Sequence, residues 1–137
     1  MNLRLGDDLI IPGFGMKKII TCTVCPNGCE VVAEYTSKDD VRLSGNRCKR
    51  GVEYCINECF DPKRTFTSSV AIKGAARRRM PVRTSAPVPK DMLFACAEEV
   101  KKVTLKAPAT CGQTVIADLL GTGVDLVACM SLDKKED

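Results

Sequence analysis

The sequence predicts an α+β protein with a small cysteine-rich N-terminal subdomain and a compact C-terminal α+β subdomain. Its 137 residues are 45% apolar and 28% charged, which suits a modest core in one or two small domains. Short apolar segments between turn residues are typical of strands, and one longer segment carries apolar residues at helical spacing. Six of the nine cysteines lie before residue 60, which sets the N-terminal part apart from the rest.

Apolar segments of strand length, bounded by glycine, proline or polar residues, predict the strands in chain order. These segments are residues 19–20, 31–35, 41–43, 66–72, 80–84, 103–105, 114–117 and 125–130. The polar turn at 37–40 predicts that the second and third strands form a hairpin. A turn at 73–76 predicts that the fourth and fifth strands also pair.

Two segments are predicted to be helical. The apolar residues of segment 90–103 recur at spacings of three, four and three, which places them on one helical face. They are Leu93, Cys96, Val100 and Val103. Residues 51–59 are expected to form one or two helical turns, because Pro62 follows and disfavours helix at Asp61.

The composition excludes several kinds of site. The chain has no histidine, which removes the usual general base near neutral pH and every metal site that uses imidazole. A standalone hydrolase or transferase is disfavoured, because no serine or cysteine has an evident base partner. Nine cysteines without a signal-peptide pattern indicate reduced thiols and a cytoplasmic location.

Charge, aromatic content and hydropathy argue against a nucleic acid partner and against a membrane span. Lys and Arg number 21 against 17 Asp and Glu, a net charge of +4, and four Phe and two Tyr offer little base-stacking surface. Nucleic acid is therefore not an expected partner. No apolar run approaches the roughly 20 residues of a membrane helix, so a soluble protein with no membrane span is predicted.

The most informative motif is a group of four cysteines. Cys22, Cys25 and Cys29 fall within eight residues, and Cys48 follows after eighteen intervening residues. Three thiolates from one tight loop and a fourth from a distant turn fit a cubane, whose four iron corners each take one sulfur ligand. The spacing therefore predicts one 4Fe-4S cluster bound by these four cysteines.

Zinc is the alternative occupant of the same cysteines, since it also binds four thiolates. Zinc ribbons more often pair two C-x-x-C motifs, whereas Cys48 stands alone in the second half of this motif, and this favours iron and sulfur. Beside Cys48, the cations Arg47, Lys49 and Arg50 either form a solvated basic turn or offset thiolate charge.

The remaining five cysteines and a run of basic residues can each be interpreted in two ways. The remaining cysteines are expected to pack in the interior, although a second metal site at Cys55 and Cys59 stays open. These remaining cysteines are Cys55, Cys59, Cys96, Cys111 and Cys129. A basic run is expected to be a solvated hairpin tip, with a docking patch for an acidic partner as the alternative. It comprises Lys73, Arg77, Arg78, Arg79 and Arg83.

The four-cysteine spacing, followed by Arg50 and Gly51, resembles the N-terminal 4Fe-4S domain of molybdopterin oxidoreductases such as formate dehydrogenases and nitrate reductases. In that family the residue equivalent to Arg50 lies between the cluster and the pterin. The resemblance covers residues 19 to about 60. A chain of 137 residues has no room for the pterin-binding domains, so it is not expected to be such an enzyme itself.

A closer resemblance, over nearly the whole chain from Met16, is to a family of small, largely uncharacterised bacterial and archaeal four-cysteine proteins. The shared motifs are CPNGC at 25–29, GNRC at 45–48, PKR at 62–64, PVRTS at 81–85, PVPK at 87–90 and GTGVD at 121–125. Members commonly occur beside FAD-dependent dehydrogenases resembling glycerol-3-phosphate dehydrogenase and beside a second flavin oxidoreductase. The resemblance implies the small subunit of a flavoprotein complex.

Together these patterns predict four segments and one function. The segments are a tail at 1–15, a cysteine-rich iron–sulfur subdomain at 16–65, an α+β subdomain at 66–132 and a solvated tail at 133–137. The predicted function is a non-catalytic electron-transfer subunit that relays single electrons between the flavins of partner dehydrogenase subunits. The alternative function is a zinc-stabilised binding or assembly module without a redox role.

Overall fold

The structure is a computed structural model that describes residues 9–11 and 15–136. It confirms the α+β class, with strands and helices in two compact units, Met1–Pro62 and Lys63–Asp137. Most of the predicted N-terminal tail and the last residue of the predicted C-terminal tail lie outside the described residues. No helix in the described ranges combines the length and apolar character needed to cross a membrane.

The first unit is a four-stranded antiparallel sheet followed by a helix. Its strands, in both chain and sheet order, are β1 (Leu9–Ile11), β2 (Gly15–Thr21), β3 (Glu30–Ser37) and β4 (Asp40–Ser44). The predicted hairpin is confirmed, because β3 pairs with β4 and Tyr35 lies opposite Val41. Strand β1, within the predicted tail, pairs along β2, with Ile10 opposite Met16.

The core of the first unit is small. Alternation along β3 buries Val31 and Ala33, which pack with Ile20 of β2. Helix α1 (Lys49–Phe60) adds the fully buried Cys55 to this cluster. With so little apolar burial, a bound group at this end of the unit would contribute a large share of its stability.

Helix α1 is longer than the one or two turns expected at 51–59. It begins directly after Cys48, which has extended φ and ψ and occupies the N-cap, and it runs for 12 residues. Lys49 and Arg50 are good helix formers and fill the first turn, which an expectation based on Gly51 leaves out. The helix ends before Pro62, whose ring disfavours helical backbone at Asp61.

The second unit contains a five-stranded sheet, a two-stranded sheet and one helix. Its strands are β5 (Lys63–Arg64), β6 (Thr67–Lys73), β7 (Arg79–Thr84), β8 (Val88–Pro89), β9 (Thr104–Lys106), β10 (Thr114–Ile116) and β11 (Leu126–Ala128). The larger sheet has the order β10-β11-β7-β6-β9, and β5 pairs with β8. Pairing is antiparallel except between β6 and β9, which are parallel.

Helix α2 (Leu93–Lys101) packs against β6 and supplies the predicted apolar face. Cys96 and Val100 are buried in the core of the second unit, and Leu93 and Val103 pack against it. The predicted helical segment, 90–103, is too long. Residues Lys90–Met92 form a 3-10 turn after Pro89, and α2 ends at Lys101, because Val103 leads into β9.

The C-terminal segment is anchored by its backbone although its side chains are exposed. The side chains of residues 133–136 are exposed, as predicted for a solvated tail. Lys134 forms a bridge with Ala75, and the backbone N–H of Lys135 donates to the carbonyl of Gly74 at 2.7 Å. The end of the chain therefore lies against the connection between β6 and β7.

Candidate metal centre

The four predicted ligands line one pocket in the first unit. The pocket measures about 150 Å³ and lies between the β2–β3 connection and the N-terminus of α1. Cys22, Cys25 and Cys29 come from the connection, and Cys48 comes from the helix N-cap. The other lining residues are Val24, Asn27, Val31, Asn46, Arg47, Arg50 and Gly51.

The loop that carries three of the thiols is closed at its base. The backbone N–H of Cys22 donates to the carbonyl of Cys29 at 2.9 Å, directly beyond the last register pair of β2 and β3. Gly28 has φ +59, and a Cβ there would meet nothing within 4 Å, so the backbone conformation rather than space favours glycine. Cys22 is buried, whereas Cys25 and Cys29 are half-buried beside the pocket.

Cys48 is positioned by the start of α1. The pKa of its thiol is lowered, first by the nearby backbone N–H of Gly51 and then, against an opposing effect of burial, by Arg50. No cap hydrogen bond of standard geometry joins this side chain to the helix. We attribute the lowered pKa to approach by backbone dipoles and a guanidinium, which favour the thiolate at a helix N-terminus.

Gly51 lies where the loop and the helix meet. A Cβ built on this buried residue would lie 3.6 Å from Cys22 Sγ and 4.0 Å from Cys48 Sγ. The glycine therefore leaves open the space between two of the four sulfurs. A larger side chain at this position would project into the pocket.

The residues present fit a thiolate-bound group of several atoms. All four cysteines are free thiols, so none is bonded to another. Within 9–11 and 15–136, no three cysteine or carboxylate side chains are grouped closely enough for a single metal ion. The four cysteines line one pocket, and such a lining would suit a cubane with one thiolate at each iron. Arg47 and Arg50 line it and would offset the negative charge of the thiolates.

Comparison with known proteins gives matches to part of the chain, and the family match covers most of the second unit but not the four cysteines of the pocket. A family model described as "Protein of unknown function (DUF1667)" matches residues 49–130, more than half of the chain. The chain belongs to the DUF1667 family. The DUF1667 match begins directly after Cys48, so it includes α1 but none of the four cysteines.

No curated protein matches this DUF1667 chain. Among solved structures, it is similar to the NMR structure of Clostridium perfringens protein CPE0013, with 24% sequence identity and a TM-score of 0.50. The similarity covers 55% of this chain and 89% of the clostridial chain. At this level of identity the likeness shows the fold alone.

The other five cysteines of the DUF1667 chain divide into two groups. Cys55 and Cys96 are fully buried and Cys59 packs against the first core, which agrees with the predicted packing role. Cys111 and Cys129 are exposed, so the packing prediction is wrong for them. Cys111 lies in the turn before β10 and Cys129 in the bend after β11, and such connecting segments run over the protein surface.

Two site features were incompletely predicted from the sequence. Of the cations next to Cys48, Arg47 and Arg50 line the pocket, whereas Lys49 is not among the lining residues. Asn27 and Asn46 also line the pocket and were not predicted. Their positions between the motif cysteines and beside turn glycines were the only available signal.

Replacing Cys55 with valine should show whether this cysteine packs in the core or binds metal. Burial, with the nearby thiols of Cys22 and Cys59, raises the pKa of Cys55 from 9.0 to about 11. A raised pKa stabilises the protonated folded state below pH 9, and this stabilisation is lost as pH rises from 9 to about 11. Cys55→Val should flatten this alkaline loss in urea titrations.

The same Cys55→Val variant should retain wild-type iron content, because valine fills a similar volume and the four ligands remain. Loss of iron in this variant, with the fold intact by circular dichroism, would show that Cys55 is a ligand.

Gly51→Leu should remove bound metal while leaving all four thiols in place. The leucine side chain would project between Cys22 and Cys48. Helix α1 should persist, because leucine favours helix more than glycine does. We expect iron content to fall by about tenfold or more, the scale seen when the surroundings of a metal site are disturbed. Asn57→Leu, an exposed change on the same helix, is the matched control and should keep its iron.

Proposed function

We propose that this DUF1667 chain is an iron–sulfur electron-transfer subunit of a multi-subunit FAD-dependent dehydrogenase that resembles glycerol-3-phosphate dehydrogenase. The observation that carries the proposal is the pocket lined together by Cys22, Cys25, Cys29 and Cys48. The resemblance of this spacing to the 4Fe-4S domain of molybdopterin oxidoreductases supports the same group. The resemblance to small proteins that occur beside flavin dehydrogenases supports the partner.

In this proposal, residues around the pocket would bind the 4Fe-4S cluster and offset its negative charge. The closed loop presents three thiols, and the N-terminus of α1 presents Cys48 with a lowered pKa. Gly51 keeps the space between two sulfurs free, and Arg47 and Arg50 supply positive charge. When bound, a 4Fe-4S cluster supplies one-electron chemistry, which complements the two-electron hydride chemistry of flavins.

The substrate chemistry belongs to the proposed flavoprotein subunits. The chain contains no histidine, and we assign it no catalytic residue of its own. We propose a reducing, cytoplasmic setting, which nine cysteines without a signal-peptide pattern support, and we propose neither a nucleic acid partner nor a membrane anchor.

Reductive titration tests this function directly. Anaerobically purified protein is mixed with photoreduced FMN, and the visible absorbance of the protein is followed against added reductant. An electron-transfer subunit should accept about one electron per chain. A zinc-stabilised assembly module, the alternative function, would accept none, because zinc has no redox chemistry in proteins.

A further inference from the structure

The five-stranded sheet of the second unit has one face on the core and one face outward. Alternation along β6 buries Val70 and Ile72, and α2 packs against this strand. Alternation along β7 buries Met80 and Val82. On each strand, the residues that alternate with these buried ones project from the opposite side of the sheet.

The outward side and its adjoining hairpin loop carry six exposed cations. We call this set the cationic face: Lys73, Arg77, Arg78, Arg79, Arg83 and Lys106. Lys106, on β9, was absent from the basic run found in the sequence. It joins the set because parallel pairing of β6 and β9 places it beside Lys73.

No carboxylate balances this charge within the sheet. The five strands contain neither aspartate nor glutamate. None of the six cations forms an ion pair with another residue of the described chain. The C-terminal segment 133–137, part of which lies beside the hairpin loop, has two lysines and three acidic residues, so its net side-chain charge of −1 leaves most of the charge of the six cations unbalanced.

The arrangement is unfavourable for the isolated chain. Lys73 and Lys106 are register partners, and like charges directly opposite on neighbouring strands destabilise a sheet. Arg79 donates to Ser69 Oγ at 2.7 Å and to the Ser69 carbonyl at 2.6 Å, which fixes its guanidinium over the sheet with neutral acceptors. An anionic surface placed against this face would relieve the repulsion and meet a preoriented arginine.

We propose that the cationic face docks an acidic protein surface. A face built on hydrogen-bonded strands holds its cations in a fixed arrangement, which suits a folded partner whose carboxylates are also fixed in place. The five strands contain no phenylalanine, tyrosine or tryptophan, the side chains that stack single-stranded bases, which favours protein over nucleic acid. This docking surface extends the proposed function and does not depend on metal in the first unit.

Binding of labelled poly-L-glutamate to the full chain tests the proposal by fluorescence anisotropy. Affinity should fall steeply between about 0.01 M and about 0.15 M salt, as the Debye length shortens from about 30 Å to about 8 Å. The triple variant Lys73→Gln, Arg77→Gln, Arg78→Gln should bind about tenfold or more weakly, because charge complementarity drives encounter. These three residues are exposed and form no described side-chain bond, so the fold should persist.

A charge-matched control distinguishes a specific face from net charge. The variant Lys38→Gln, Arg42→Gln, Lys90→Gln removes three exposed cations elsewhere and should bind like wild type. Equal weakening by both triple variants would overturn the proposal. So would tighter binding of duplex DNA than of poly-L-glutamate, lost in the first variant. Measuring Cys25→Ser in parallel separates this test from the metal site, since docking should survive loss of iron.

Discussion

Replacing Cys25 with serine is expected to remove bound iron and electron acceptance together. Cys25 lies in the middle of the loop that supplies three of the four proposed ligands, and it lines the pocket. A serine hydroxyl keeps its proton near neutral pH, whereas the thiolate is the form that binds iron. Iron and electrons accepted from reduced FMN should both fall to less than about a tenth of wild type, because loss of a ligand should cost at least the tenfold that disturbed outer-shell contacts cost.

Cys111→Ser is the matched control, since Cys111 is exposed, lies in the second unit and is not among the pocket residues. It should retain wild-type iron and accept electrons normally. If Cys25→Ser kept its iron and its reduction by FMN while Cys111→Ser lost them, the assigned ligand set would be wrong.

Removing the metal is expected to loosen the first unit and to leave the second intact. The first core consists of Ile20, Val31, Ala33 and Cys55, whereas the second buries eleven residues. For a small core, the binding free energy of a metal group is largely folding free energy. Amide exchange at 15–60 should accelerate by about a hundredfold or more on anaerobic chelation, since local opening sets exchange rates.

Hydrogen exchange with mass spectrometry resolves the two units in one sample. Peptides from β6, β7 and α2 should keep their protection before and after chelation, and they serve as the internal reference. Cys25→Ser should show the loosened pattern without chelator. Unchanged exchange in α1 and β3 after complete iron removal would mean that no bound group stabilises this unit.

Local patterns in the sequence predict much of the fold. The turn at 37–40 separates two apolar segments, and β3 and β4 form the predicted hairpin. Helical spacing correctly places Cys96 and Val100 in a core. The start of α1 was missed because it depends on the extended backbone of Cys48, a property of one residue that periodicity does not report.

Sequence patterns predict those features of the site that depend on residues close together in the chain. Cysteine spacing identifies four side chains that the structure brings to one pocket. The position of Gly51 between two sulfurs needs the loop and helix to be placed together. The pairing of Lys73 with Lys106 is less accessible still, because a parallel register joins strands that are distant in the chain.

The composition of protein purified without oxygen tests the central claim most directly. Iron and acid-labile sulfide are quantified per chain, and an EPR spectrum is recorded after reduction with dithionite. The account predicts a brown protein with about four irons and four sulfides, and a signal that appears on reduction. Colourless protein that carries one zinc per chain and no sulfide would contradict it.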